Sequence, residues 1–406
     1  MTLTRQTWRG FVGKLVNSTS PDQSTRTLVR EALAFAILTR VALAILVWVS
    51  LRALPRLGLY PEQLPDSFLP DHPFLDGWAR WDAAHYIAVA RYGYGDPVSP
   101  SPNGGIGFFP LYPLLMRAVA TITRQTDSNA GLAVIGILIS VVLFLASIAL
   151  LTQLAAEIMP VDDARFAVML FAVAPFAFFY TAAYTESLFV LEVLGAIWFA
   201  RRGQWWRAAA VAALASATRL VGLSVIAGIV YAAWRCGLRL PRLIGLLTLG
   251  ASGFLAFMLY LWVRFDDALA YFETQEEWGS WNDHVWFYVE LFLTRPREAL
   301  QGDPRHLIII GNVALGLIAL ALVPAILRRL DPATAGISVL LIVGQFLITW
   351  VSLGRYLMPA VGLYFAAALL TSRSTRYVWA RQLILDISLI TMTSLAILFA
   401  HGFWVV

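Results

Sequence analysis

Long apolar runs recur from one end of the sequence to the other. Hydrophobic residues make up 59% of the 406 positions and charged residues only 14%, and the mean hydropathy is +0.70. An apolar helix of about 20 residues crosses the ~30 Å hydrocarbon core of a bilayer, and this composition is far from that of a water-soluble domain. The sequence therefore predicts an all-α, polytopic integral membrane protein.

The apolar segments follow one another at short intervals. They lie near 31–53, 130–156, 166–183, 187–200, 206–220, 222–234, 243–265, 306–327, 334–352, 356–372 and 383–405. Several segments between 166 and 234 are short, and a helix of about 14 residues reaches only ~21 Å. We therefore expect tilted, broken or re-entrant helices in this region, and about 9–13 transmembrane helices in all.

The distribution of arginine predicts the orientation of the chain. The net charge of +5 is carried almost wholly by arginine, since Lys14 is the only lysine. Arginine clusters on the side of the basic N-terminal segment lie at 201–207, 235–242, 328–329 and 373–381. The positive-inside rule makes this side cytoplasmic, so the loops 54–129 and 266–305 are predicted to lie outside.

The first apolar run, from Glu31 to Leu51, is too long for the core of a cleavable signal peptide and is predicted to remain as the first span. We expect a cytoplasmic segment 1–30 and a single transmembrane domain 31–406. The single cysteine, Cys236, can form neither an intrachain disulfide nor a cysteine-built metal site. In a membrane protein the arginine surplus indicates orientation and lipid head groups, so no nucleic-acid partner is expected.

The stretch 74–117, in the first outer loop, concentrates aromatic, carboxylate and imidazole groups outside any predicted span. On a helix, Trp78, Asp82 and His85 would lie on one stripe, with the acid and the imidazole one turn apart. This pattern favours a helix in the membrane interface, with its rings towards lipid and its polar groups towards water.

Three residues of the predicted outer side could serve either chemistry or structure. Asp82 is a candidate general base, and its alternative role is that of a solvated or capping carboxylate at an interfacial anchor. His85 could orient Asp82, donate to a phosphate or simply pack. Glu186, in TAAYTES, is either a further carboxylate of the site or a charge favoured by the macrodipole at a helix N-terminus.

Arg219, in SATRLVGL, and Arg355, in SLGRYLMP, lie in short turns of the predicted outer side. The positive-inside rule disfavours arginine there, and a guanidinium at membrane depth is costly unless it has an anionic partner. A lipid phosphate suits it, because the planar fork can grip two phosphate oxygens at once. The alternative is an ion pair with Glu186 or with an acidic loop residue.

Together these groups predict glycosyl transfer. An enzyme working outside cannot draw on cytoplasmic nucleotide sugars, so its donor would be a lipid with phosphate as leaving group, and aromatic rings suit a sugar. A metal site is not predicted, although a divalent cation could assist if Glu186 completed an oxygen-ligand site with Asp82. One alternative is a lipid or solute transporter with a pathway along Arg40, Glu192 and Asp386. Another is a non-catalytic subunit that binds polyprenyl lipids.

Several motifs also carry a family resemblance. They are RWDAAHYIAVARYGYGD with GFFPLYPLLMR, APFAFFYTAAYTESLFVL, RGQWWRAAAVAALASATRLVGL and LGRYLMPAVGLYF. In this order they resemble the GPI mannosyltransferase II (PIG-V-like) family of GT-C glycosyltransferases, in its bacterial form, over roughly Trp78 to Phe365. The resemblance implies a GT-C-type helical bundle that moves a mannose, or another hexose, with inversion. The donor would be a polyprenyl- or dolichyl-phosphate sugar, and the acceptor a lipid-linked or cell-envelope glycan.

The resemblance also implies roles for residues. Asp82 matches the acidic residue of the family's first outer loop, the expected base, while Glu186 falls in its TAAY(S/T)E segment. Arg219 and Arg355 match its ATR and RY segments. The loop ALAYFETQEEWGSW is similar only in part, because Phe265, Asp266 and Asp267 stand where bacterial members often have Gly-Asp-Pro.

The predicted site thus lies on the extracytoplasmic side, surrounded by membrane lipids. Its residues fall into three groups. Asp82 is the predicted base. Binding of the donor phosphate is expected from Arg219, Arg355 and His85. Binding of the sugar or acceptor is expected from Trp81, Tyr86, Tyr184, Glu186, Tyr356, Gln275 and Trp278.

Overall fold

The computed structural model describes residues 23–54, 68–96, 102–279, 290, 293–294, 304–348, 352–372 and 377–405. Within these ranges the regular structure is helical, with no strand. Five of the described helices are long and apolar enough to cross a membrane, at 23–53, 129–158, 240–265, 307–329 and 378–400. The predicted all-α, polytopic membrane fold is confirmed.

The helices are numbered here in chain order. The first part of the chain forms α1 (Gln23–Ala53), α2 (Pro73–Asp76), α3 (Asp82–Tyr92), α4 (Leu111–Thr123), α5 (Asn129–Ile158), α6 (Val161–Val173), α7 (Glu186–Arg201) and α8 (Trp205–Thr218). The second part forms α9 (Gly222–Arg235), α10 (Leu240–Phe265), α11 (Ala270–Gly279), α12 (Pro304–Arg329), α13 (Pro332–Ile348), α14 (Leu353–Tyr356), α15 (Gly362–Leu370) and α16 (Val378–Ala400). Short 3₁₀ turns lie at Pro102–Gly105 and Ala177–Tyr180.

The predicted broken helix in the middle of the chain is confirmed at α6. This helix ends at Val173, because Pro175 forces the preceding Ala174 out of the helical region, to ψ 149°. The chain then runs to Tyr184 with only the 3₁₀ turn. The buried guanidinium of Arg40, on α1, donates to the carbonyl oxygens of Ala172 and, at 2.9 Å, Ala177. Arg40 therefore satisfies carbonyl groups that the break leaves without helical partners.

The chain before and within helix α3 differs from the predicted stripe. The helix that was expected to include Trp78 starts instead at Asp82, because Trp81 has φ +57° and ψ −122°, which interrupts a helix. Trp78 lies before the helix and is buried. Helix α3 has no broad water-facing side either, since Ala83 and all residues from His85 to Ala90 are buried.

Buried ion pairs tie the helices together at one end of the bundle. Arg201, the last residue of α7, pairs with Asp331 before α13 and lies 3.6 Å from Glu157 near the end of α5. Asp163 on α6 pairs with Arg381 on α16 at 2.6 Å. We call this the Arg201 end.

At the end of the bundle opposite Arg201, the short helices α7 and α8 stop before the long helices α5 and α10 do. Ser140 on α5 donates to the carbonyl of Tyr184, just before α7, and α5 extends from there for about 16 Å to its first residue, Asn129. Ser216 near the end of α8 donates to Gly250 on α10, which also continues for several turns. The loops that end α7 and α8 away from Arg201 are therefore recessed.

We expect Arg201→Ala to destabilise the protein by about 3 kcal/mol, because it leaves Asp331 buried without its charged partner. The midpoint of thermal unfolding in detergent should fall. Arg207→Ala removes an exposed arginine near the same end, which bonds to Gln204, and should change the midpoint little. Equal midpoints for the two variants would contradict this account.

Candidate active site

Four charged side chains from distant parts of the chain meet at the recessed end. Asp82 is the first residue of α3, Glu186 the first residue of α7, Arg219 the residue after α8, and Arg355 lies on the short helix α14. Each stands where a helix begins, ends or is only one turn long. We call these four residues the Arg355 cluster.

Arg355 binds carboxylates through two of its nitrogens. Its Nη1 donates to Oδ2 of Asp82 at 2.8 Å, and its Nε donates to Oε1 of Glu186. The guanidinium carbon lies 4.7 Å from the ring centroids of both Phe179 and Tyr184. A desolvated arginine between carboxylates and aromatic faces is held firmly, since both kinds of contact strengthen away from water.

Arg219 reaches the same carboxylate from the other side. Its Nη1 donates to Oε1 of Glu186 at 2.8 Å and to the hydroxyl of Thr185 at 3.3 Å, and its guanidinium carbon lies 4.4 Å from the ring centroid of Tyr356. The ion pair with Glu186, one of the two alternatives considered from sequence, is therefore present for both arginines. Glu186 also stands at a helix N-terminus, so both of its proposed structural roles are present.

Two residues of the cluster are buried and two are partly exposed. The side chains of Arg355 and Glu186 are 2% and 1% exposed, whereas those of Asp82 and Arg219 are 24% and 14% exposed. Nη2 of Arg355 and Oε2 of Glu186 are buried and make no hydrogen bond within the described part of the chain. These two buried atoms lack the hydrogen bonds that buried polar groups normally make, and Asp82 is the most exposed residue of the cluster.

Trp81 and Asp82 form the turn into α3. A positive φ is rare for an aromatic residue and persists only where the surroundings hold it, and such strain concentrates at functional sites. The hydroxyl of Tyr184 donates to the carbonyl of Arg80 at 2.8 Å, and the amide of Ala183 donates to the carbonyl of Trp78 at 3.2 Å. The segment before α7 therefore fixes the position of this turn.

His85 lies one turn after Asp82 and is buried. Its ring stacks on Phe108 with the centroids 4.7 Å apart. Burial lowers the pKa of His85 below its ordinary value of 6.5, although the Asp82 carboxylate raises it. The imidazole is therefore neutral at pH 7, so it can offer a hydrogen bond to a phosphate but no charge.

The other predicted site residues occupy several positions. The hydroxyl of Tyr86 lies 3.5 Å from that of Thr185, which places Tyr86 beside the cluster. Tyr184 and Tyr356 contact the arginines through their rings, and Trp81 is half-buried next to Asp82. Gln275, on α11, donates to the carbonyl of Gly107 at 3.1 Å and so ties α11 to the segment before α4. The side chain of Trp278 lies outside the described residues.

Sequence reasoning did not assign binding contacts to Thr185 and Phe179. Thr185 directly precedes α7, but its side chain makes no capping bond and instead accepts from Arg219. Phe179 stacks against Arg355. The run of aromatic residues before TAAYTES was the available signal, because such rings commonly face cations at buried sites.

The groups considered for a transport pathway are dispersed. Arg40 is bound to carbonyl groups in the bundle, and Glu192 accepts a hydrogen bond from Thr218 at 2.9 Å. Asp386 accepts from Gln382 on the exposed side of α16. These three residues therefore have separate local partners.

A divalent cation would meet competition at this site. No group of three or more His, Cys, Asp and Glu side chains that could hold a metal occurs among the described residues. Asp82 and Glu186, the pair considered from sequence, both bind the guanidinium of Arg355. A cation shared by these carboxylates would have to displace this arginine.

Comparisons with known proteins agree on one family. The family model described as Mannosyltransferase (PIG-V) matches residues 33–272, well over half of the chain. GPI alpha-1,6-mannosyltransferase 2 of Cricetulus griseus is 26% identical over 231 residues, which cover 51% of this chain and 43% of the relative. The protein of the same name from Mus musculus is 28% identical over 214 residues, or 48% of this chain and 40% of the relative.

A more distant animal relative gives a similar match. GPI mannosyltransferase 2 of Drosophila melanogaster is 28% identical over 175 residues, which cover 38% of this chain and 38% of the relative. The matched stretches thus span less than half of the length of these relatives. No solved structure matches the chain. Asp82, Glu186 and Arg219 lie within the range of the family model, and Arg355 follows it.

We expect Glu186→Gln to destabilise the protein by about 3 kcal/mol, because it removes the carboxylate that two buried arginines share. Glu192→Gln, six residues along the same helix, keeps a hydrogen-bond acceptor for Thr218 and has no arginine to unpair. The midpoint of thermal unfolding of Glu192→Gln should stay within a few degrees of the wild-type midpoint. A larger loss for Glu192→Gln than for Glu186→Gln would refute the shared-carboxylate account.

The lowered pKa of His85 predicts a dependence of stability on pH. Because the folded protein holds the neutral ring, the unfolded chain binds more protons below about pH 6.5, and stability falls as the pH falls. Thermal unfolding midpoints of the wild type and of His85→Gln should be compared at about pH 7.5 and pH 5.5. We expect the midpoint to fall further at the lower pH for the wild type than for the variant. Equal falls in the midpoint would show that His85 does not cause this effect.

Proposed function

The chain belongs to the PIG-V mannosyltransferase family, and from this we propose that it is an inverting glycosyltransferase that moves a mannose from a polyprenyl-phosphate carrier to a lipid-linked or cell-envelope acceptor. The observation that carries the proposal is the Arg355 cluster. It joins a partly exposed carboxylate, Asp82, directly to a buried arginine, with a second arginine alongside. A base next to cations is what displacement of a sugar from a phosphate requires.

The proposed reaction is a single displacement. Asp82 accepts the proton of the acceptor hydroxyl while its oxygen forms a bond to the anomeric carbon. The bond between that carbon and the phosphate oxygen breaks, and its electron pair remains on the phosphate. Attack on the face opposite the leaving group inverts the configuration, so one carboxylate suffices as base.

The arginines stabilise the phosphate as it gains negative charge. Nη2 of Arg355 is buried and has no hydrogen-bond partner in the described residues, and Arg219 is partly exposed beside it. When Asp82 takes up the proton, Nη1 of Arg355 also becomes available to the phosphate. Donors aimed at developing charge in a water-poor site commonly contribute several kcal/mol to catalysis.

The sugar and the acceptor would occupy the open side of the cluster. The half-buried rings of Trp81 and Tyr356 flank Asp82 and Arg219 there, and aromatic faces suit the apolar face of a hexose. Oε2 of Glu186 can accept a sugar hydroxyl, and the neutral ring of His85 can add a hydrogen bond. Tyr86 and Tyr184 pack against the cluster through Thr185 and Arg355, respectively.

The recessed position supports a lipid-borne donor. Helix α5 extends about 16 Å beyond the level of Tyr184, and the lipid tail of a polyprenyl phosphate can remain in hydrocarbon while its head group enters. The arginine clusters near 201–207, 235–242, 328–329 and 373–381 favour a cytoplasmic Arg201 end. The site would then face outwards, with the N-terminus inside.

The first test is chemical. Purified protein should be incubated with polyprenyl-phosphate mannose and a lipid extract of the cells that produce it, and new glycolipids identified by mass. We expect a product heavier than one lipid of the extract by one hexose residue. A protein that never consumes the donor would be a lipid-binding subunit, and donor movement across liposomes without chemical change would indicate a transporter.

The second test addresses the base. Asp82→Asn should lower the rate of mannose transfer at least ~100-fold, because the amide keeps a hydrogen bond from Arg355 but cannot accept the proton. Asp386→Asn, an exposed acid on α16, should transfer at the wild-type rate. The midpoint of thermal unfolding must show that both variants are folded. Normal turnover by folded Asp82→Asn would place the base elsewhere.

A further inference from the structure

A second charged pair lies behind Asp82, in the same outer loop. Asp76 ends α2, and its carboxylate lies 2.8 Å from Nη2 of Arg80, with side chains that are 0% and 9% exposed. Oδ1 of Asp76 also accepts from the amide of Leu69 at 2.8 Å. The mechanism proposed above uses neither residue.

This pair is seated firmly on the bundle. Gly77, between its members in sequence, lies so close to the ends of α1 and α16 that a Cβ atom there would stand 3.2 Å from both Leu51 and Ala400. A buried ion pair contributes little net stability compared with apolar packing, so its presence here calls for a local reason. The ion pair joins Asp76 and Arg80 across a tight turn, and the chain leads from this turn directly to Asp82.

The backbone of Arg80 belongs to a closed ring of contacts that includes the base, and the ion pair anchors the side chain of this residue. The carbonyl of Arg80 accepts from the hydroxyl of Tyr184 at 2.8 Å, and the Tyr184 ring stacks on Arg355, which donates to Asp82. From Asp82 the chain returns through Trp81 to Arg80. Trp81, at φ +57°, is the strained residue of this ring, and strain persists only where both flanks are held.

We propose that Asp76 and Arg80 are positioning residues, whose buried ion pair holds the strained Trp81 turn so that the Asp82 carboxylate stays on Arg355 at the opening of the site. The inference rests on the proposed function, since it assigns the pair a role through the base. Loss of the pair lets the turn relax towards the helical region and moves Asp82 away from the acceptor hydroxyl. A displacement of about 1 Å at a reacting group lowers rates by up to about a hundredfold.

The test separates rate from binding. Asp76→Asn keeps the volume of the side chain but removes the charge opposite Arg80. Mannose transfer from polyprenyl-phosphate mannose is measured against donor concentration, with a fixed, saturating amount of the lipid extract. We expect kcat to fall about tenfold to a hundredfold with a much smaller change in donor KM. Arg80→Lys, which retains a cation, should lose much less of kcat than Arg80→Met.

The matched control is Asp163→Asn. Asp163 is also buried and pairs with Arg381 at 2.6 Å, but it lies at the Arg201 end. Both asparagine variants should lose thermal stability, and only Asp76→Asn should lose kcat. If folded Asp76→Asn retains the kcat of Asp163→Asn, the pair is merely structural and the inference is wrong.

Two further comparisons complete the design. If Asp76→Asn does not fold, the Arg80 variants carry the test, because Arg80→Lys keeps a cation opposite Asp76 and Arg80→Met does not. Arg80→Met should lower kcat in the same way, and a kcat equal to that of Arg80→Lys overturns the inference. The proposed function is tested separately by the wild type, and the proposed base by Asp82→Asn. A wild type that forms no new glycolipid refutes the function, and normal turnover by folded Asp82→Asn places the base elsewhere. An inactive Asp82→Asn beside a fully active Asp76→Asn refutes only the positioning role.

Discussion

One buried carboxylate, shared by two arginines, holds the recessed end of this protein together. Glu186 accepts from both Arg219 and Arg355, and its side chain is 1% exposed. Each of these buried charges requires the others, because the free energy lost when a charge leaves water exceeds the attraction of a single weak partner. The start of α7, the end of α8 and the short helix α14 must therefore converge. The position of Asp82 depends on that convergence, because Arg355 is its partner.

The lengths of the helices set the depth of this meeting point. Helices α7 and α8 have only 16 and 14 residues and so reach about 24 and 21 Å from the Arg201 end, while α5 and α10 continue beyond them. Non-helical backbone at such depth is stable only where protein groups satisfy it, as Arg40 and Ser140 do for the segment between α6 and α7. The short helices are thus what creates room for polar chemistry below the ends of the long ones.

Much of this arrangement was predictable from the sequence, and the remainder has identifiable physical reasons. Apolar run lengths predicted the helices and the broken middle region, and the cost of arginine at membrane depth singled out Arg219 and Arg355. The pattern around Asp82 suggested one continuous helix, which was wrong, because the positive φ of Trp81 has no signature in residue type. The sharing of Glu186 by two arginines also went unresolved, since it depends on the approach of Arg355, which lies 169 residues further along the chain.

In the proposed reaction, the direct hydrogen bond between Asp82 and Arg355 limits how far charge has to move. The cluster holds two guanidinium groups and two carboxylates, so a bound donor phosphodiester brings one net negative charge to the site. During transfer Asp82 becomes neutral as the phosphate gains a second charge, and the sum does not change. Arg355 needs only to exchange one anionic partner for another at nearly the same place. In a medium of low dielectric, a reaction that moves charge over a short distance between fixed cations has a far smaller barrier than one that creates it.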